Sequence, residues 1–138
     1  MKKQKLVVVG NGMAGIRTIE ELLKLAPDLY DITVFGAEPH PNYNRILLSP
    51  VLAGEMTLAD IVLNDLDWYK DNDVTLHTGK TVVKIDRSAR TVMAESTDGV
   101  KTEVRYDRLL RATGSVPFMF PVPGNDLPGV IAYRDIAD

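Results

Sequence analysis

The sequence predicts an α/β fold, a central parallel sheet into which a three-stranded antiparallel meander is inserted at about residues 80–105. Three observations carry this reading. A short apolar run ends in glycine and gives way at once to helical spacing. That helical stretch leads into a second β-branched run. Much later, three short alternating runs follow one another across good turn sequences.

Lys5-Leu-Val-Val-Val-Gly10 is β-branched and apolar throughout, as expected of a strand buried on both faces of a parallel sheet. From Met13 to about Leu25 the period becomes helical, with Ile16, Ile19, Leu23 and Ala26 on one stripe, and Pro27-Asp28 stops the helix. Asp31-Ile-Thr-Val-Phe-Gly36 is the next strand, which completes a βαβ unit with a right-handed crossover. Glu38-Pro-His-Pro-Asn42 is a loop fixed by two prolines. Ile46–Ala53 is expected to be a short helix with Pro50 in its first turn, and Thr57–Asp71 to hold further helical turns. Val74-Thr-Leu-His77 is a third parallel strand. The meander runs through Lys80–Asp86, Thr91–Glu95 and Val100–Arg105, turning at Arg87-Ser-Ala-Arg90 and Thr97-Asp98-Gly99. Arg108-Leu-Leu-Arg-Ala112 returns to the parallel sheet, a Pro/Gly-rich loop follows, and Val130–Tyr133 is expected to form a last short strand.

Composition narrows the function. The chain has 138 residues, which is one domain's worth of core, and 45% of them are hydrophobic against 25% charged. With 16 Lys and Arg against 19 Asp and Glu, the net charge is −3, a poor match to the phosphate backbone of nucleic acid or to an anionic membrane surface. There are no cysteines, which removes thiol catalysis and thiolate–iron ligation from this chain. The apolar run behind the basic Met-Lys-Lys-Gln-Lys start ends at Gly10, too short for a signal core, so a cytoplasmic location is expected. His40 and His77 have no third ligand at suitable spacing, so no metal site is expected.

Gly10-Asn11-Gly12-Met13-Ala14-Gly15 matches G-x-G-x-x-G in the context that motif requires, after a strand and at the start of a helix. Gly10 makes the tight turn, Gly12 lets a pyrophosphate approach the backbone, and Gly15 lets helix and strand pack closely. The helix N-terminus supplies free amides and positive potential for the anion. Glu38 lies 23 residues beyond Gly15, near the spacing of about 20 for the acid that accepts hydrogen bonds from a ribose diol. A carboxylate there repels a 2′-phosphate, which favours FAD or NAD over NADP. The plain alternative is a glycine-rich turn and a surface glutamate. Taken together, motif and acid give a Rossmann-like FAD/NAD(P)-binding fold.

A simple NAD domain would continue with alternating strands and helices rather than a meander. In this order of elements the chain resembles the two-dinucleotide-binding flavoprotein reductases. Four landmarks carry the resemblance: the glycine motif, Glu38, Tyr43-Asn-Arg-Ile-Leu-Leu-Ser49 and Leu109-Leu-Arg-Ala-Thr-Gly-Ser-Val-Pro117. Within that group, the Tyr43–Ser49 segment followed by Val51-Leu-Ala-Gly54 resembles the large subunits of assimilatory NAD(P)H-dependent nitrite reductases. Rubredoxin and ferredoxin reductases usually carry prolines after the arginine and a lysine after the serine, where this chain has Ile46 and Pro50. Disulfide reductases place cysteines in this region, and this chain has none.

The resemblance implies a set of roles. Gly10, Gly12 and Gly15 would face the FAD pyrophosphate, with backbone from Asn11, Met13 and Ala14. Glu38 would hold the adenosine ribose, and Arg45 would lie beside pyrophosphate and flavin, its alternative being a solvated loop arginine. The backbone of Val82 would read adenine, its alternative being a strand residue of the core. Ala112, Thr113 and Gly114 would form the close turn against the cofactor, or simply end a strand. Trp68 and Tyr69 are read as core, and Arg17 as solvated. Arg111 departs from the family, which has an apolar residue there, and an unpaired buried guanidinium would be very costly.

By the same resemblance, residues 1–138 are an N-terminal FAD-binding fragment of a longer polypeptide. Its remainder would bind NAD(P)H, a [4Fe-4S] cluster and sirohaem, with a small subunit as a further partner, and would pass electrons from NAD(P)H through FAD to nitrite. No residue of this chain reads as general acid, base or nucleophile, so the chain alone is expected to be inactive. Two other functions stay open: a stand-alone FAD-dependent NAD(P)H reductase of a ferredoxin- or rubredoxin-like partner, and a non-catalytic nucleotide-binding module.

Overall fold

In a computed structural model, which describes residues 2–138, two sheets and three α-helices form three layers. The middle layer is a parallel sheet of β1 (Gln4–Val9), β2 (Tyr30–Phe35), β3 (Val74–His77) and β7 (Arg108–Arg111), in the order β3-β2-β1-β7. The β-branched run of β1 is explained by its central place. Leu6 and Val8 pack on one face with Ile16 and Ile19 of α1 (Met13–Leu25) and Tyr69 of α3 (Leu66–Asp71). Val7 and Val9 pack on the other face with Phe35, Val92 and Ala94. Both faces of β1 are therefore dry, which is why its apolar residues do not alternate with polar ones.

The second face is covered by the antiparallel sheet of β4 (Lys80–Asp86), β5 (Thr91–Ser96) and β6 (Lys101–Arg105), in that order. Only alternate residues of this meander reach the core, so its pattern is the period-2 one seen in the sequence. A register shift between Val82 and Lys84 marks a bulge in β4.

The region after β2 is more broken than expected. Residues 46–53 divide into a 3₁₀ turn (Arg45–Leu47) and α2 (Leu48–Leu52), with Pro50 in the first turn of α2, where its missing amide costs nothing. Residues 57–71 give a 3₁₀ turn (Ala59–Ile61) and α3, which is capped by the Asp65 carboxylate accepting from the Trp68 amide.

One expected element is absent. Val130–Tyr133 is not a strand: its residues form no ladder, and Ile131 and Tyr133 are exposed. A strand exists by its pairing, and the free edge of β7 is not joined by this segment. Its apolar, β-branched residues therefore mimicked a strand without a neighbour to bond. Arg111, the residue at odds with a buried strand, is exposed at the end of edge strand β7. No helix among the described residues is long and apolar enough to cross a membrane.

Candidate functional site

Parallel register brings four strand ends together: Val9 lies beside Phe35 and Arg111, and Phe35 beside His77. The strand order reverses at β1, with β2 on one side and β7 on the other, and crevices of open α/β sheets form where such a reversal meets the carboxyl edge. Gly10–Gly15, Glu38 and Ala112–Gly114 all follow directly from these ends.

The three glycines of the motif differ in what surrounds them. Gly10 has φ +113°, and a Cβ on it would lie 2.2 Å from the Ala112 carbonyl oxygen, so no other residue fits. At Gly15 an added Cβ would lie 2.9 Å from the Gly10 carbonyl oxygen and 3.3 Å from the Ala112 Cβ, which is the close packing of helix on strand. At Gly12 nothing lies within 4 Å of an added Cβ. Internal packing therefore does not demand glycine at position 12, and the open approach there is what a phosphate group needs.

The same loop carries the donors. The first bond inside α1 runs from the Ile16 amide to the Gly12 carbonyl, so the amides of Met13, Ala14 and Gly15 have no acceptor within the helix. No side chain caps them and the first turn holds no acidic residue, which suits an incoming anion.

Glu38 and Arg45 meet directly. The Arg45 guanidinium donates to the Glu38 carboxylate through Nη2 and, through Nη1, to the Tyr43 hydroxyl at 3.0 Å and the Arg134 carbonyl at 3.2 Å. Tyr43 Oη donates in turn to Glu38 Oε2 at 2.6 Å, and the guanidinium carbon stands 5.1 Å from the Tyr43 ring centroid. Burial and the neighbouring Glu38 charge push the Tyr43 phenol far above its ordinary range, so it remains a donor. Asn11 donates through Nδ2 to the His40 carbonyl at 3.2 Å and accepts through Oδ1 from the Tyr69 hydroxyl at 2.7 Å.

Val82 lies apart, on β4 of the second sheet, with its side chain against the Val92–Ala94 core. Its strand nevertheless starts at the acid loop, since the Gly79 and Lys80 amides donate to the Glu38 and Gly36 carbonyls at 3.0 and 2.9 Å. β4 is an edge strand, with one side unpaired within its sheet. Thr113 and Gly114 are exposed, and Gly114 has φ +72°.

Several participants were not foreseen. The sequence marks Tyr43 only as part of a segment and Tyr69 only as core; the Tyr69 ring is core, but its hydroxyl reaches the glycine loop. Arg134 bonds Arg45 through its carbonyl, and its Nη2 would lie 3.2 Å from a Cβ on Gly114. Gly36 is required because an added Cβ would meet the Asn11 Cβ at 2.8 Å. These partners sit up to 89 residues from one another in the chain, so no local pattern announces them. The described residues contain no group of three or more His, Cys, Asp or Glu able to hold a metal ion.

The chain is 56% identical over its full length to a Bacillus subtilis protein named nitrite reductase [NAD(P)H], and covers 17% of that protein. It is 54% identical, again over its full length, to the B. subtilis assimilatory nitrate reductase electron transfer subunit, and also covers 17% of it. The chain thus spans about a sixth of the length of these relatives. Among solved structures, the water-forming NADH oxidase of Lactobacillus brevis superposes with a TM-score of 0.85 at 24% identity, over 98% of this chain and 30% of that one, which shows the shared fold. Residues 4–138 match the family described as pyridine nucleotide-disulphide oxidoreductase, and the chain belongs to that family.

Proposed function

We propose that this chain is the FAD-binding portion of an NAD(P)H-dependent nitrite reductase large subunit of nitrate assimilation, working in the cytoplasm. The observation that carries the reading is the 56% identity to a nitrite reductase over the whole of this chain. The residues present fit the cofactor: the open face of Gly12, the free amides of Met13–Gly15 and an acid at the ribose spacing form a dinucleotide cradle.

In this reading Gly10, Asn11, Gly12, Met13, Ala14 and Gly15 take the pyrophosphate. Glu38 accepts from the adenosine ribose, Arg45 lies beside phosphate and flavin, the Val82 backbone meets adenine, and Ala112–Gly114 close against the cofactor. When bound, FAD supplies the hydride and electron chemistry, and the protein contributes binding, orientation and electrostatics. Residues 1–138 act as an N-terminal FAD-binding unit. The NAD(P)H site, the [4Fe-4S] cluster and the sirohaem belong to other parts of the protein, since this chain has no cysteine to ligate a cluster.

The test is to express the protein as its gene encodes it. Bound FAD, with electrons passing from NAD(P)H to nitrite, is the expected result. FAD with transfer only to a ferredoxin- or rubredoxin-like acceptor identifies a stand-alone reductase. Binding of NAD or ADP without FAD identifies a nucleotide-binding module.

A further inference from the structure

A continuous path of hydrogen bonds, side chain to side chain except at the Asn42 backbone amide, runs from α1 to the glycine loop. Asn64 Nδ2 donates to Glu20 Oε1 on α1 at 3.0 Å, and Asn42 Nδ2 donates to Asn64 Oδ1 at 2.9 Å. The Asn42 amide N–H donates to the Tyr69 hydroxyl at 3.1 Å, and that hydroxyl donates to Asn11 Oδ1 at 2.7 Å. Asn42, Asn64 and Tyr69 are 3%, 4% and 2% exposed.

The direction of every link is determined. A carboxylate oxygen only accepts, so Asn64 turns its NH₂ to Glu20 and its oxygen to Asn42. A backbone N–H only donates, so the Tyr69 oxygen accepts from Asn42 and commits its own proton to Asn11. Asn11 must then present its oxygen to Tyr69 and its NH₂ to the His40 carbonyl. Its side chain is held at both ends, one of them on the loop that carries Glu38.

Stability alone does not explain this arrangement. Buried polar groups are costly unless bonded, and the path leaves Asn42 Oδ1 buried without a partner. Phenylalanine at position 69 would keep the contacts of the ring with the core and edge-on with Trp68, whose ring lies 5.1 Å away. It would leave the Asn42 amide without its acceptor, but neither the ring contacts nor that acceptor needs the bond to Asn11. What the hydroxyl adds is a tie between α3, the acid loop and the glycine loop.

We propose that Tyr69 is a positioning residue for the dinucleotide: through Asn11 it holds the glycine loop at one distance from the Glu38 loop. The amides for the pyrophosphate and the carboxylate for the ribose then keep a single spacing. This rests on the dinucleotide-binding reading above. It makes a distinction that general loosening of the fold does not. A ligand that engages both loops depends on the bond between Tyr69 and Asn11, whereas one that engages only the acid loop does not.

The test compares Tyr69→Phe with wild type in the protein as its gene encodes it, with FAD removed, using FAD, ADP and adenosine as probes. FAD and ADP affinity should fall about tenfold or more, with adenosine affinity falling far less. Asn11→Ala should do the same, and the double variant should lose no more than either single one, because one bridge is broken only once. Should Tyr69→Phe fail to fold, Asn11→Ala carries the test, since it leaves the bond between Tyr69 and the Asn42 amide intact. Unchanged ADP affinity in the variants overturns the positioning role, and so does an equal loss for ADP and adenosine. If wild type itself binds neither FAD nor ADP, the dinucleotide reading fails instead.

Discussion

The Arg45 guanidinium closes on the Glu38 carboxylate, with the Tyr43 hydroxyl bonded to both. Two side chains assigned to different parts of one ligand, the ribose and the phosphates, are thereby held as a unit. Their side chains are 30% and 25% exposed, so the pair adds only about 1 kcal/mol to stability. Its consequence is geometric, since Arg45 and Tyr43 fix how the carboxylate faces the crevice. A carboxylate has about four lone-pair sites, and these two donors leave room for a ribose diol.

Glu38→Gln should therefore separate binding from folding. The amide cannot match the charge of Arg45, and it turns one acceptor into a donor facing either that guanidinium or the ribose. FAD affinity should fall about tenfold or more, while the urea midpoint moves by no more than about 1 kcal/mol of stability. A titration showing wild-type FAD affinity would mean that Glu38 serves only its pair with Arg45.

Gly10→Ala and Gly12→Ala should fail in opposite ways. At Gly10 the methyl group meets the Ala112 carbonyl oxygen at 2.2 Å on a backbone with φ +113°, so a loss of about 3 kcal/mol or more and insoluble protein are expected. At Gly12, φ is −97° and the space is open, so the variant should fold within about 1 kcal/mol of wild type. Its methyl group would occupy the approach to the backbone, and FAD affinity should drop about tenfold or more. Thermal unfolding and flavin titration of the pair check both statements, and tight FAD binding by Gly12→Ala would remove the pyrophosphate from this position.

How much of this was legible follows from what each feature depends on. β1, α1 and β2 depend on burial periodicity, which is local, and their expected limits differ from the observed ones by about a residue. The meander was equally clear, because Asp98-Gly99 and Arg87–Arg90 turn where short alternating runs stop. Val130–Tyr133 misled because residue type reports propensity and not whether a partner strand stands alongside. At the site, Gly10, Gly12, Gly15 and Glu38 were visible as spacing. The bond between Tyr69 and Asn11 was not, since it joins positions 58 residues apart through a hydroxyl that a core aromatic need not use.

His77 should set an acid-side limit on stability. Its ring stacks on Phe35 at 4.8 Å, and burial, aided by the Lys80 charge, lowers its pKa below the ordinary imidazole value of 6.5. The unfolded chain then binds the proton more readily than the folded one. The stabilisation is present above about pH 6.5 and is lost as the pH falls through the folded value. His77→Phe retains a stacking ring and carries no proton, so its urea midpoint should change less than wild type between pH 7 and 5. Equal slopes for the two proteins would assign the acid limit to other groups.

Tyr43 should act at the other end of the pH scale. Burial and the Glu38 carboxylate raise its phenol pKa far above the ordinary value of 10, so above that pH the unfolded chain gives up a proton that the folded chain keeps. Stability from this group is whole below about pH 10 and declines as the pH climbs beyond it. Tyr43→Phe keeps the ring beneath Arg45 but takes the donor from Glu38 and the acceptor from Arg45, which should cost about 1 kcal/mol at neutral pH. In return, its stability should fall less steeply above pH 10 than that of wild type. Chemical unfolding at pH 7, 9 and 10.5 reads both effects. A variant as stable as wild type at pH 7 would mean that the three-way contact contributes nothing to the fold, and an unchanged alkaline limb would place the titrating phenol elsewhere.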